Sequence, residues 1–384
     1  MKLEDAIDFN PIEKLSKSTY AKKIGMDKLT PFYKYIDSFE NEKYSGGAKF
    51  RNGDTIIARI TPCLENGKTA YIDFLDDDEI AFGSTEFIVM RNKKNVTIPE
   101  YIYYLSISPR FREKAISLMT GTSGRQRVQL DPLKEEIFYI SSIHDQIKTV
   151  KILATIDEKI KLNSKINNNL HELCRKIFEQ TFNYDMSFDS LDNLCSEITR
   201  GYTKNYVEKS NLINLNQKVN KGQKLEKQYY KYLDENQEIP KNRYVRKNDI
   251  LLNSLGEGTL GRIHLFEENA NNIVIDQHIS ILRASAKISP YYLYYLLSSN
   301  EYQNKIENSV TGTTGMLMLN ISVVRGFKIP VPDKKDIDYF DSIAKACMNK
   351  ITINTLENEK LSELRDTLLP KLMNGEIDLD NIEI

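Results

Sequence analysis

Shifting the 384-residue chain by 191 positions lays it on itself. Tyr101-Ile102-Tyr103-Tyr104-Leu105 falls on Tyr292-Leu293-Tyr294-Tyr295-Leu296, and Thr120-Gly121-Thr122-Ser123-Gly124 falls on Thr311-Gly312-Thr313-Thr314-Gly315. Across 101–124 and 292–315, ten of 24 positions are identical without a gap. The same offset places Ile160 on Ile351, Asn163 on Asn354, Leu170 on Leu361 and Leu173 on Leu364. With a gap, Gly53-Asp54-Thr55-Ile56-Ile57-Ala58-Arg59 resembles Asn248-Asp249-Ile250-Leu251-Leu252-Asn253-Ser254. A unit this long is no solenoid repeat of about 20–50 residues. It is a whole domain used twice.

Each copy has two parts. The first, at 1–142 and 183–333, mixes short strands (Thr55–Ile60, Glu86–Met90, Ile279–Leu282) with glycine-rich turns. Each also carries a helix opened by a proline, Pro99 before Glu100–Leu105 and Pro290 before Tyr291–Leu297. The second part, at 143–182 and in the 334–384 segment, reads as a long helix. In the first of these, Leu153, Ile156, Ile160, Asn163, Ile166, Leu170, Leu173 and Ile177 recur at close to a heptad seam. In the second, Ile351, Asn354, Leu361, Leu364 and Leu368 recur, and Pro370 is expected to end or kink the helix. The expected fold is α/β (α+β), with two tandem globular domains separated and followed by long helices that form an antiparallel coiled coil. Asn163 and Asn354, matched by the repeat, are candidates for fixing its register.

Charge excludes a histone-like binder. Lys plus Arg is 53 and Asp plus Glu is 54, a net charge of -1. One local bias stands out: residues 200–250 hold 12 basic and 6 acidic groups, Arg200 and Lys204 among them. That suits a phosphate backbone, and equally a solvated lysine-rich loop. The four cysteines and four histidines lack metal-ligand spacing, so free thiols in a reducing cytoplasm are expected. No long apolar run suggests a membrane partner.

Catalytic motifs are missing. Gly256 to Ile263 has P-loop-like glycines without the phosphate-binding Lys or the following Ser/Thr. Asp54 with Glu65 and Lys68 is the nearest approach to a nuclease site, and its spacing is wrong. No nucleophile stands in a recognisable triad context. The expectation is a non-enzymatic chain with no cofactor of its own.

What remains is recognition chemistry in duplicate. Gly121 to Arg127 puts Thr122, Ser123, Arg125, Gln126 and Arg127 on one flexible segment, where guanidinium and amide groups match phosphate and base edges. Its counterpart keeps Thr313 and Thr314 but carries Met316 and Leu317 where the first copy has Arg125 and Gln126 under the same offset. A second contrast sets Ser84 and Thr85 against Gln277 and His278. Arg59, Thr61, Asn253 and Arg262 complete the candidate DNA contacts. One frame with different polar groups is what two domains reading different short sequences require.

These stretches resemble the specificity (S) subunit of Type I restriction–modification systems. The likeness rests on Phe50 to Asp54 leading into Ala58-Arg59-Ile60-Thr61-Pro62-Cys63-Leu64-Glu65-Asn66-Gly67-Lys68, on Ala81 to Phe87, and on the Thr-Gly-Thr loops. Ile156 to Ile160 and Leu364 to Leu372 extend it over nearly the whole chain. The resemblance implies that 1–142 and 183–333 are target-recognition domains, each reading half of a bipartite, asymmetric double-stranded DNA site. It implies that the helices set the spacer and dock two modification (methyltransferase) subunits, which use S-adenosylmethionine to methylate adenine. Restriction subunits using ATP and magnesium would join for cleavage. The alternative on residues alone is a non-DNA adaptor with two heads on a coiled-coil rod.

Overall fold

A computed structural model describes residues 1–182, 187–202, 205–256, 258–312 and 317–379. It divides into two compact units: Met1–Leu162 with Glu357–Ile384, and Asn163–Leu356. Each unit therefore owns half of each long helix.

In the first unit a four-stranded antiparallel sheet runs in the order Ile7–Phe9, Phe87–Asn92, Thr55–Ala58, Thr69–Tyr71. Ile56 and Val89 face one core, shared with Ile24 and Phe50 of a second sheet. Ile57, Ile88 and Met90 face another, against the helix Pro99–Ile107. Both faces are thus covered, which replaces apolar–polar alternation by continuous apolar runs. The second sheet includes a parallel pairing of Tyr20–Ile24 with Ala81–Gly83. Such mixed pairing makes the fold α+β in detail.

The second unit repeats this plan. Its sheet runs Cys195–Arg200, Ile279–Ala284, Asp249–Asn253, Ile263–Phe266, again antiparallel. Ile250, Leu252 and Leu282 serve one core, while Leu251 and Ile281 serve the other. Ile213–Leu215 pairs in parallel with Ile273–Ile275 in the smaller sheet. The proline-led helix is Pro290–Leu297, whose first turn is capped by the Ser289 hydroxyl accepting from the Tyr291 and Tyr292 amides.

A buried ion pair ties each main sheet together. Arg91 grips Asp54 with two bonds of 2.6 and 2.7 Å, and Arg283 grips Asp249 with two of 2.7 Å. Each carboxylate also accepts a backbone amide three residues back, from Arg51 or Arg246. Asp54 is therefore spent inside the sheet, buried and paired with Arg91.

The long helices are Ile143–Thr181 and Lys334–Met373. Within the first unit, Asp157 meets Arg365 and Ile160 meets Asn358; within the second, Asn167 meets Ile351 and Asn354. Rising numbers on one helix meet falling numbers on the other, so the pairing is antiparallel. Leu153, Ile156, Ile160 and Asn163 lie buried on the seam, as do Ile351 and Asn354. Leu173 and Leu364 do not: they are 46% and 48% exposed, and their neighbours Cys174 and Arg365 are buried instead. A straight helix of 3.6 residues per turn drifts from a 3.5 repeat by about 20° per heptad, enough to move the seam by one residue. Pro370 does not end the helix either. One more turn follows, closed by a Schellman cap in which Gly375 (φ +70°) lets Glu376 N–H reach the Lys371 carbonyl at 2.9 Å. No helix among the described residues is long and apolar enough to cross a membrane.

The seam is polar at matched places. Asn354 donates to Asn167 Oδ1 at 2.8 Å, and Asn358 donates to the Ile160 carbonyl at 3.3 Å. Asn167 makes the same kind of bond to the Ile351 carbonyl at 3.5 Å, the equivalent under the 191-residue offset. In the first unit Asp157 accepts from Arg365 at 2.9 Å and from the Tyr104 hydroxyl at 2.9 Å. The repeat equivalents of Asp157 and Arg365 are Met348 and Cys174, both buried. One copy of the seam thus uses an ion pair where the other uses sulfur and hydrocarbon.

Removing one partner of a buried ion pair strands the other. Arg365→Met is expected to destabilise the first unit by about 3–5 kcal/mol. Asp157→Met with Arg365→Met should recover most of that. Urea denaturation followed by tyrosine fluorescence checks both.

Candidate nucleic-acid interface

The Gly121–Gln126 segment is the loop of a hairpin made by Met119–Thr120 and Arg127–Val128. Arg125 N–H closes a turn onto the Thr122 carbonyl at 2.9 Å, with Gly124 at φ +77°, a conformation that favours glycine. Thr122, Ser123 and Arg125 are exposed at its tip. Arg125 has no ion-pair partner among the described residues.

The base of the hairpin is stitched to the end of the Thr55–Ala58 strand. Thr61 N–H donates to the Gln126 carbonyl at 3.0 Å, Val128 N–H to the Arg59 carbonyl at 2.9 Å, and Arg59 Nη2 to the Val128 carbonyl at 3.2 Å. Arg59 N–H in turn donates to the Glu86 carbonyl at 2.9 Å. Three segments that lie far apart in sequence therefore converge: the hairpin, Arg59–Thr61 and Ser84–Glu86. Ser84 is half-buried and its hydroxyl accepts from Glu86 N–H at 3.1 Å; Thr85 is exposed.

Arg127 does not stand free. Its guanidinium makes a forked pair with Glu86, at 2.6–2.9 Å. The hydrogen bond from Arg127 holds the Glu86 carboxyl below the usual carboxylate range and raises the guanidinium. The pair presents an orientated carboxylate and guanidinium together, rather than a bare positive charge.

The second unit reproduces the frame. Leu319 N–H donates to the Ser254 carbonyl at 2.9 Å and Ser254 N–H to the His278 carbonyl at 2.7 Å. The hairpin is Val310–Thr311 with Met318–Leu319. By these bonds Ser254 stands where Arg59 does, His278 where Glu86 does, and Met318 where Arg127 does. The forked ion pair is gone. His278 instead pairs through Nδ1 with Asp276 at 2.8 Å, and burial pushes the Asp276 carboxyl up. Arg200 reaches this hairpin, touching the Leu319 carbonyl, and burial lowers its guanidinium. Gln277 is exposed beside His278.

Two of the expected contacts lie elsewhere. Asn253 is fully buried: its amide donates to the Gln217 carbonyl at 3.1 Å and its carbonyl accepts from Asn220 at 3.1 Å. It braces the loops beneath the surface. Arg262 sits on a separate turn, donating to the Gly258 carbonyl at 2.8 Å. Lys204, Thr313 and Thr314 lie outside the described residues.

Sequence reasoning missed one feature of this face. A cleft of about 420 Å³ opens beside Arg59 and Thr85, with Lys49, Phe87 and Val89 in its lining and Asn10–Glu13 as its other side. Nothing periodic marks that N-terminal segment. It is held because the Asn10 side chain and backbone pair with Val89 like an extra strand residue, at 2.9 and 2.7 Å.

The description "Type I restriction modification DNA specificity domain" matches the sequence twice, over residues 1–172 and 193–364. The chain belongs to this family. DNA sequence recognition is the role the family carries, and the adaptor reading falls away. The specificity subunit of Type I restriction enzyme HindI from Haemophilus influenzae is 22% identical, over 85% of this chain and 87% of the relative. That of MjaIX from Methanocaldococcus jannaschii is 24% identical, over 75% and 71%. The S subunit of the Type I system of M. genitalium shares the fold, with a TM-score of 0.55 at 17% identity across 97% of this chain and 95% of that one.

In this specificity chain the Glu86–Arg127 pair cancels one positive charge on the hairpin. Glu86→Gln should release it. Affinity for non-cognate duplex at low salt is then expected to rise, with the slope of log K against log salt steeper by about one. Fluorescence anisotropy across a salt series checks this.

Proposed function

We propose that this chain directs a Type I complex to a bipartite, asymmetric DNA site, with 1–142 reading one half and 183–333 the other. The observation that supports this is the repeated hairpin-on-strand frame, whose exposed groups differ between copies. Arg59, Arg125, Gln126 and the Glu86–Arg127 pair would meet the first half-site, together with Thr61, Ser84, Thr85, Thr122 and Ser123. Arg200, Gln277 and His278 would meet the second, with Arg262 on its flank and with Lys204, Thr313 and Thr314. Arginine and glutamine suit guanine and adenine edges, and hydroxyls suit either.

The chain contributes recognition and no catalysis of its own. Two modification subunits would bring S-adenosylmethionine and methylate adenine, and restriction subunits would bring ATP and magnesium. The complex would act in the cytoplasm, where its DNA is. The small net charge fits such sharing, since partner subunits can supply part of the phosphate affinity.

Methylome sequencing of the source strain tests the reading. A bipartite adenine methylation pattern should vanish when the gene is deleted. Replacing 183–333 by the equivalent segment of a relative should change one half-site only; a change in both halves would overturn the modular reading.

The helix pair would act as a ruler between the half-sites. A heptad inserted after Leu162, matched by one after Leu356, keeps the pairing register and adds about 10 Å to the helices. The spacer is then expected to grow by about three base pairs, at about 3.4 Å per step. An unchanged spacer would refute the ruler.

A further inference from the structure

Ile12 is 93% exposed, the least covered of the large apolar side chains described. It stands on the rim of the cleft beside Arg59, in a segment without regular secondary structure between Asn10 and Tyr20. A single bare apolar side chain is common on a protein surface, and what sets Ile12 apart is the charge and the cleft beside it.

The charge around it identifies that occupant. Lys49 and Arg59 line the same cleft. Lys14 and Lys17 follow Ile12 on the exposed segment and have no ion-pair partner among the described residues. The one carboxylate in the cleft wall, Glu13, is already held by Arg91 at 2.6 Å and lies near Arg51 at 3.6 Å. The rim is therefore basic, and its acid is neutralised from below. The cleft is also continuous with the recognition hairpin, because Arg59 belongs to both. A basic rim with an apolar floor of Phe87, Val89 and Ala48 fits a DNA strand. Phosphates meet the lysines, and an apolar base edge meets the hydrocarbon.

Resting on the function proposed above, we infer that the Asn10–Lys17 segment is a second reading element of the first recognition domain. In it Ile12 contacts the C5-methyl group of a thymine, while Lys14, Lys17 and Lys49 hold the adjoining phosphates. The thymine methyl is the one purely apolar group in the major groove, so a bare isoleucine can distinguish thymine from cytosine without a hydrogen bond.

Uracil in place of thymine removes that methyl and nothing else. The chain in its native complex, with its half-sites defined by methylome sequencing, is titrated with duplexes carrying uracil at each thymine in turn. One uracil, in the half-site left unchanged by the 183–333 swap, should weaken binding about fourfold, the effect of one buried methyl-sized group. Ile12→Ala should bind thymine and uracil duplexes alike at that position. Lys14→Ala, Lys17→Ala and Lys49→Ala should each weaken binding to all sequences and lower the salt slope by about one. The two effects separate base reading from phosphate holding. Ile12 is on the surface, so the variant keeps its fold, which its thermal transition verifies.

A first half-site without thymine overturns the inference. So does a set of uracil penalties that Ile12→Ala leaves intact. Arg125→Ala on the hairpin distinguishes the two levels: if it alters the first half-site while Ile12→Ala does not, the domain reads DNA without this segment. A complex with no sequence preference at all overturns both.

Discussion

Leu369, Leu372 and Met373 are buried in the core of the first unit, among Tyr101, Tyr104 and Phe111. These side chains come from the far end of the chain. The first domain therefore closes its core only after the whole second domain has been made. In turn Phe340, Ala344 and Ile351 fill the core of the second unit beside Phe178 and Tyr295. Each compact unit rests on both long helices, one half of each. A helix of this amphipathic kind gains most of its stability from such packing, because isolated helices are marginal in water. The helix pair is thus a shared foundation as well as a connection.

That foundation must choose one pairing among several. Two copies of one helix, each with an apolar stripe, have many near-equivalent registers. Buried polar groups remove that freedom, since a slipped register would leave them without partners. Asn358 with the Ile160 carbonyl and Asn167 with the Ile351 carbonyl do this in matched positions, and Asn354 adds a bond to Asn167. The Asp157–Arg365 pair, joined by Tyr104, does it in one copy alone. Its absence from the other copy makes the two ends of the seam chemically distinct, which disfavours an exchange of helix halves.

The candidate interface follows the same logic of one frame and varied contents. Backbone hydrogen bonds between the hairpin and the neighbouring strand end depend little on side-chain identity. They recur in both units while Glu86 gives way to His278 and Arg127 to Met318. Specificity can change on such a frame without disturbing the core, and the buried Asp54–Arg91 and Asp249–Arg283 pairs hold the strands that carry it.

The sequence by itself determined the duplication, the mixed domains, the two long helices and the glycine-rich polar loop. Repetition and periodicity are local signals, and local spacing decides them. Tertiary structure alone decided which groups are available. Arg127 looks free in sequence and is paired with Glu86, 41 residues away. Asn253 looks like a base reader and is buried, and Leu173 yields its seam place to Cys174. Ile12 looks like any apolar residue and is the barest of the large apolar side chains described. Exposure and pairing arise from segments brought together by folding, and no spacing along the chain records them.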